Sequence, residues 1–190
     1  MFKSKQRRAA QCAATLENLQ AALNGEYNAK ARYLEFAVQA DAEGFRPVGS
    51  LFRAAALAED IHADNHKQVI AKMGAAPFVK FDIPEVNSTR ENLLAAIRGE
   101  SYEHDEMYPA FIAQARADAQ PAAERTFAFA MTAEAEHARL FAAALNGLDQ
   151  PRVSARNYFV CNGCGYTCDQ PEFDQCPVCS TPVIKFQVVN

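Results

Sequence analysis

The sequence predicts a mainly α protein, a four-helix bundle followed by a small cysteine-rich module. Three observations carry that prediction. Residues 1–147 are rich in Ala, Leu, Glu and Phe and break into four long helical stretches. Five of the six cysteines lie between 161 and 179, and four of them form two C-x-x-C pairs. At 190 residues the chain has room for one ordinary domain and an appendix.

Composition narrows the function. The 49% apolar and 22% charged content is that of a water-soluble globular protein. No run of about 18 apolar residues exists, so no membrane span is expected. The start carries Lys3, Lys5, Arg7 and Arg8 without an apolar stretch behind them, so no secretory signal is expected and the chain reads as cytoplasmic. A net charge of −4 with mixed signs argues against a nucleic-acid partner.

The first helix is expected over residues 15–43, stopping at Gly44, and the second from Pro47 to Gly74. The third opens with a capping box, Ser88-x-x-Glu91, and continues to residue 118. The fourth opens at Pro121, a favoured first-turn residue, and ends at Asn146-Gly147. Helices one and two, and three and four, need only short turns and so are antiparallel neighbours. About thirteen residues with Pro77 and Pro84 separate helices two and three, and extended they reach roughly 43–47 Å. That matches the ~40 Å length of a bundle helix. Two short turns and one long crossover is the ferritin-like arrangement.

Residues 148–157 lack helical periodicity and read as a linker. The module from Tyr158 to Asn190 is too small to bury a sufficient core and needs a metal staple. Cys161-x-x-Cys164 and Cys176-x-x-Cys179 supply four thiolates for one tetrahedral ion, iron or zinc. In a chain without an export signal this is metal ligation and not a disulfide framework. Cys12 and Cys168 read as plain thiols.

The bundle carries carboxylates where leucines belong. Alternating steps of three and four trace the buried face of each helix. Helix one gives Leu16, Leu19, Leu23, Glu26, Lys30 and Tyr33, and helix two gives Phe52, Ala55, Glu59, His62, His66 and Val69. Helix three gives Leu93, Ile97, Glu100, Glu103 and Met107, and helix four gives Phe127, Ala130, Glu134, His137 and Phe141. The acids fall near the helix midpoints, which meet at one level whichever way each helix runs. Five buried carboxylates cost several kcal/mol each if unpaired, and like charges add to that. No arginine lies at that level, whereas two divalent cations would bring +4 against −5. Glu-x-x-His on two helices with Glu from two others is the donor set of di-iron and di-manganese bundles.

A single Glu-x-x-His ordinarily marks a solvated face; two at matching depth in core register do not. His66 reads as a hydrogen-bonded core histidine, His104 as solvent-facing, and Glu43, Glu85 and Glu124 as surface charges. Tyr33 and Tyr108 read first as core packing, with a hydrogen bond to a ligand carboxylate as the alternative.

Gly25-Glu26 with Ala31-Arg32-Tyr33, Glu59-x-x-His62, Gly99-Glu100-x-x-Glu103 with Met107-Tyr108-Pro109, and Glu134-x-x-His137 follow one another along the bundle. With the tail Cys161-x-x-Cys164-Gly165-Tyr166 and Cys176-Pro177-x-Cys179, this pattern resembles the rubrerythrin family over nearly the whole chain. The resemblance implies residues 1–147 as a ferritin-like di-iron domain, 148–157 as linker and 158–190 as a rubredoxin-like domain. It implies a non-haem peroxidase acting in oxidative-stress protection: two iron ions reduce hydrogen peroxide to water, and the iron of the four-cysteine site passes on electrons from a donor reductase or rubredoxin. Glu59 and Glu134 would bridge the irons, Glu26 would bind the first, and Glu100 and His137 the second. Glu103 and His62 would alternate at the first iron, because diferric iron tolerates an extra carboxylate and diferrous iron favours a neutral imidazole. Tyr33 and Tyr108 would support ligand carboxylates. Ser180 departs from the glycine usual in rubredoxin-like knuckles, which leaves the ligands intact but bears on hydrogen bonding to the thiolates.

Two other functions fit parts of the pattern: a ferroxidase or iron-handling protein, and a non-catalytic interaction protein stapled by zinc. The electron-carrying module favours a reductase, because a ferroxidase draws electrons from its substrate iron. A short tether reaching poorly to its own bundle favours a homodimer with transfer between subunits, and the long crossover leaves room for helix exchange.

Overall fold

The computed structural model describes residues 12–150 and 154–190. The basic start with Lys3, Lys5, Arg7 and Arg8, and residues 151–153 of the expected linker, lie outside the described residues.

Helix α1 (Ala13–Ala42) and helix α2 (Arg46–Lys72) form an antiparallel pair. The turn between them places Gly44 at φ 83°, and the Phe45 N–H closes back on the Ala40 carbonyl at 2.8 Å. A residue without Cβ meets that left-handed geometry without strain. Pro47 lies in the first turn of α2.

Residues 73–88 then run back along α1 as an extended segment. The device that holds it is a ladder of side-chain amides. Gln20 accepts from the Phe78 N–H and donates to the Phe78 carbonyl; Asn24 accepts from the Lys80 N–H at 2.7 Å. Asn28 donates to the Lys80 carbonyl and accepts from the Asp82 N–H, both at 2.9 Å. Four helical residues rise about 6 Å, and two extended residues rise about 6.6 Å, so amides at i, i+4 and i+8 meet alternate residues of the strand.

Helix α3 (Thr89–Tyr102) opens on the Ser88–Glu91 capping box, with both of its bonds present. The expected single third helix is not continuous: a π-turn at Glu103–Met107 separates α3 from α4 (Tyr108–Ala117). Eight residues of unbroken α-helix would set Tyr108 about 80° away from Glu100, and one extra residue in the turn cuts this to about 20°. The π-turn therefore brings Tyr108 to the same inner face as Glu100. Helix α5 (Pro121–Asn146) completes the bundle against α3 and α4.

Two apolar clusters fill the two ends of the bundle. Tyr33, Phe36, Phe52 and Phe141 pack at one end with ring centroids 5.1–6.2 Å apart. Leu19, Leu23, Ile70, Tyr108 and Phe127 pack at the other. The polar level lies between them.

The cysteine module is a three-stranded antiparallel sheet of order β2–β1–β3, from β1 (Tyr158–Cys161), β2 (Thr167–Cys168) and β3 (Phe186–Val189). Phe173 and Phe186 form its small core, with Phe129 of α5 packed against it. The two knuckles end alike, with Gly165 at φ 78° and Ser180 at φ 61°. The serine thus occupies a left-handed position that costs an L-residue about 1–2 kcal/mol, and its N–H keeps a 3.0 Å bond to the Cys176 carbonyl. The module sits on its own bundle: Asn65 donates to the Gly163 carbonyl at 3.1 Å and Arg53 to the Asn190 carbonyl at 2.8 Å.

If the amide ladder holds the crossover, replacing Asn24 and Asn28 by alanine removes three bonds of about 1 kcal/mol each. Trypsin cleavage after Lys80 should then accelerate at least about tenfold under native conditions, while far-ultraviolet dichroism stays unchanged.

Candidate metal centre

Glu26 of α1, Glu59 and His62 of α2, Glu100 of α3, and Glu134 and His137 of α5 meet at the polar level, each at most 1% exposed. Their ligand atoms fall into two groups, within 4.8 Å in each: Glu26, Glu59, His62 and Glu134; and Glu59, Glu100, Glu134 and His137. Glu59 and Glu134 belong to both. Glu134 shows why, with Oε1 3.0 Å from His62 Nδ1 and Oε2 2.8 Å from His137 Nδ1. Glu59 spans the same pair at 3.1 and 3.8 Å. Two carboxylates that each reach both imidazoles are placed to bridge two ions.

Each imidazole is fixed from behind by the cysteine module. His62 Nε2 lies 3.0 Å from the Cys164 carbonyl oxygen, and His137 Nε2 lies 3.1 Å from Thr167 Oγ1. Thr167 in turn donates to the Gly165 carbonyl at 3.0 Å. With the Cys164 carbonyl able only to accept, His62 Nε2 is the protonated nitrogen and Nδ1 is free to bind a metal. Gly165 lies against His62 so closely that a Cβ there would collide with the ring.

The tyrosines cross over: Tyr33 of α1 donates to Glu100, and Tyr108 of α4 donates to Glu26. Glu103 stands apart. It is half-buried at the start of the π-turn and belongs to neither ligand group. His66 is buried against Tyr108, and His104 is exposed beside Asp105. Glu43 is more than a surface charge, since it accepts from the Thr89 N–H at 3.0 Å and ties the third helix to the end of α1. Sequence reasoning gave no sign of the Cys164 carbonyl or Thr167 as partners of the histidines. A carbonyl leaves no trace in sequence, and Thr167 follows no ligand motif.

Among the described residues, six buried side-chain N and O atoms lack a hydrogen-bond partner, and five of them are here: Glu26 Oε2, Glu100 Oε2, both oxygens of Glu134, and His137 Nδ1. Orphaned donors and acceptors of this kind are costly, and all five are atoms a cation would satisfy. Without cations, the acids repel. Desolvation, then the charges of neighbouring glutamates, push Glu59 well above the ordinary carboxylate value. Desolvation also lifts Glu134 and Glu103 well above it, with His62 opposing the rise at Glu134 and Arg32 that at Glu103. Glu26 goes the other way: burial raises it, but the His66 hydrogen bond and the His62 charge bring it to about 2. His62 is raised, Glu134 outweighing the desolvation. The donor set fits two iron ions.

The four cysteine sulfurs form a second centre, with Cys161–Cys179 3.5 Å and Cys164–Cys176 3.6 Å apart. A tetrahedron with metal–sulfur bonds of ~2.3 Å has sulfur edges of about 3.8 Å, so the sulfurs fit one ion. The Cys164 hydrogen bond and the Gly163 and Cys164 N–H groups hold Cys161 at about 5 against burial. Burial, by contrast, pushes Cys176 up to about 11. Cys168 lies outside the cluster, buried and raised to about 12 by burial.

The sequence model of the Rubrerythrin family matches residues 17–145. Nigerythrin of Nitratidesulfovibrio vulgaris is 37% identical over 175 residues, covering 90% of this chain and 85% of that protein. A solved structure of nigerythrin in a mixed-valence state superimposes with a TM-score of 0.85 at 36% identity, covering 92% of this chain and 86% of that one. The bacterioferritin of Desulfovibrio desulfuricans matches with a TM-score of 0.70 at 18% identity over 74% of this chain and 83% of its own, a likeness of fold alone.

The shifted groups set the sign of the pH dependence. Glu59, Glu103 and Glu134 have folded pKa values above 4.5, so the metal-free chain loses stability as pH rises from about 4.5 through those values. His62 adds a loss above 6.5, whereas Glu26 acts only below 4.5, as pH falls towards 2. The metal-free protein should therefore melt several degrees higher at about pH 5 than at about pH 8. Loading Fe²⁺ or Mn²⁺ should remove that trend and release protons, measured by calorimetry in buffers of different ionisation enthalpy.

Proposed function

The chain belongs to the rubrerythrin family and is an iron-dependent oxidoreductase; from that premise we propose that its reaction is the reduction of hydrogen peroxide to water. The balance is one peroxide, two electrons and two protons to two waters. The observation that carries the reading is the pair of bonds from His62 to the Cys164 carbonyl and from His137 to Thr167. They join both ligand histidines to the one-electron module, an arrangement of use to an enzyme that must be re-reduced.

Glu26, Glu59, His62, Glu100, Glu134 and His137 would hold two iron ions, which when bound would supply the two electrons that peroxide reduction needs. Glu59 and Glu134, shared by the two ligand groups, would serve both ions. Tyr33 and Tyr108 hold Glu100 and Glu26; burial and the neighbouring glutamates raise both phenols well above 10, so they remain protonated donors at neutral pH. Glu103 would alternate with His62 as a ligand to the ion on the Glu26 side. Its place on the π-turn, outside both groups while His62 points in, supports that role. Cys161, Cys164, Cys176 and Cys179 hold the third iron. The division of labour puts the oxidant site in residues 1–147, electron entry in 158–190 and the tether in 148–157. Reduced thiolates suit the cytoplasm, with a rubredoxin or reductase as donor. Among the described residues no helix is long and apolar enough to cross a membrane. A homodimer belongs to the reading and is checked by sedimentation.

Rapid mixing of the reduced protein with peroxide and, separately, with dioxygen tests the proposal. Peroxide should oxidise the centre at least about tenfold faster, and turnover with a reduced rubredoxin should consume it stoichiometrically. Faster oxidation by dioxygen with accumulation of ferric mineral would identify a ferroxidase instead. Glu103→Ala should lower turnover about 10- to 100-fold, the range for loss of a metal-site group; unchanged turnover and reduced-state coordination would remove Glu103 from the scheme. In Gly165→Ala the strained φ of 78° and the collision with His62 should separate the module from the bundle. Single-turnover oxidation by peroxide should then persist, while re-reduction through the four-cysteine iron slows at least about tenfold.

A further inference from the structure

His66 is a fully buried histidine that the reaction above leaves unused. Its Nε2 lies 3.1 Å from Tyr108 Oη and 3.5 Å from Glu26 Oε1, and its Nδ1 lies 3.1 Å from Thr126 Oγ1 of α5. In a neutral imidazole the direction of these bonds follows from the partners. Tyr108 spends its one hydrogen on Glu26, so its oxygen accepts from His66, which puts the proton on Nε2. Nδ1 then accepts from the Thr126 hydroxyl. Thr126, His66, Tyr108 and Glu26 form a one-way chain in which each donor strengthens the next.

The other half of the centre has no such chain. Tyr33 donates to Glu100, but its ring is walled by Phe36, Phe52 and Phe141, and among the described residues nothing donates to its oxygen. Two tyrosines with the same duty are thus held differently: the Tyr108 oxygen accepts from His66 of α2, itself bonded to Thr126 of α5, whereas the Tyr33 oxygen accepts from no side chain among the described residues.

We propose that His66 is a positioning residue for the Glu26 half of the centre, acting on the Glu26 carboxylate both directly and through Tyr108 and so setting the Glu26 position apart from the Glu100 position. The inference rests on the reading that the bundle binds two ions. Thr126 supports it by fixing the His66 tautomer. Tyr33 and Glu100 are outside its reach, so its loss is felt on one side only.

The test titrates metal-free full-length protein with Co²⁺ after the four-cysteine site is filled with Zn²⁺, and records Mössbauer spectra of the diferrous protein. Wild type should take two Co²⁺ in the bundle; failure to do so overturns the two-ion reading itself and this proposal with it. His66→Leu should weaken one Co²⁺ site about tenfold or more, leave the other within about twofold, and shift one of the two quadrupole doublets. His66→Gln should restore both, because its amide can accept from Thr126 and donate to Tyr108. Thr126→Val, which keeps the shape, should move the same site in the same direction by less. Equal weakening of both sites, an unmoved spectrum in His66→Leu, or a folded His66→Gln that restores nothing would overturn the role while leaving the two-ion reading intact.

Discussion

Four carboxylates and two imidazoles sit at one level of a dry core, each at most 1% exposed, with no lysine or arginine among them. Everything else in the bundle answers to that concentration of negative charge. Apolar clusters above and below exclude water, which makes each interaction inside stronger and each unpaired group more costly. The raised pKa values of Glu59 and Glu134 and the orphaned oxygens beside them are two expressions of the same stress. Cations relieve both. The fold holds its ligands in readiness at the expense of stability in their absence, a common feature of sites whose metal binding is coupled to folding.

The cysteine module is the second partner in that arrangement. Its knuckle backbone fixes the outward nitrogen of one ligand imidazole, and Thr167 fixes the other. Ring orientation and tautomer are thereby set by groups that also flank the thiolates, so the two centres are mechanically one unit. Gly165 lies directly against the His62 ring. Its φ of 78° and its contact with His62 both exclude a side chain, whereas Ser180, its counterpart in the other knuckle, is exposed and meets only the backbone strain. The same turn is therefore under two constraints at one knuckle and one at the other, which accounts for the serine being tolerated there.

Much of the site could be read from spacing because helices have a fixed period. Glu59 with His62 and Glu134 with His137 are separated by three residues on a buried stripe, and midpoints of antiparallel helices meet by necessity. The cysteine pairs were equally legible, since a knuckle is local. The π-turn at Glu103–Met107 was not: helical period predicts an unbroken helix, and what the extra residue gains shows in the bonds Tyr108 makes on α1 and α2. The amide ladder from Gln20, Asn24 and Asn28 was likewise invisible, because exposed amides at that spacing look like any solvated face until a strand lies against them.

The sequence by itself determined which residues bear charge, at what depth along each helix, and that four thiolates gather in a separate module, because these depend on local periodicity and on a few residues of separation. The tertiary structure alone decided which oxygen faces which imidazole, that Tyr33 serves Glu100 while Tyr108 serves Glu26, and that the module seats on its own bundle through His62 and His137. Those choices depend on the rotation and height of whole helices against one another. They are set by packing between residues some 30 to 100 positions apart, beyond the range over which a helical or strand period carries information.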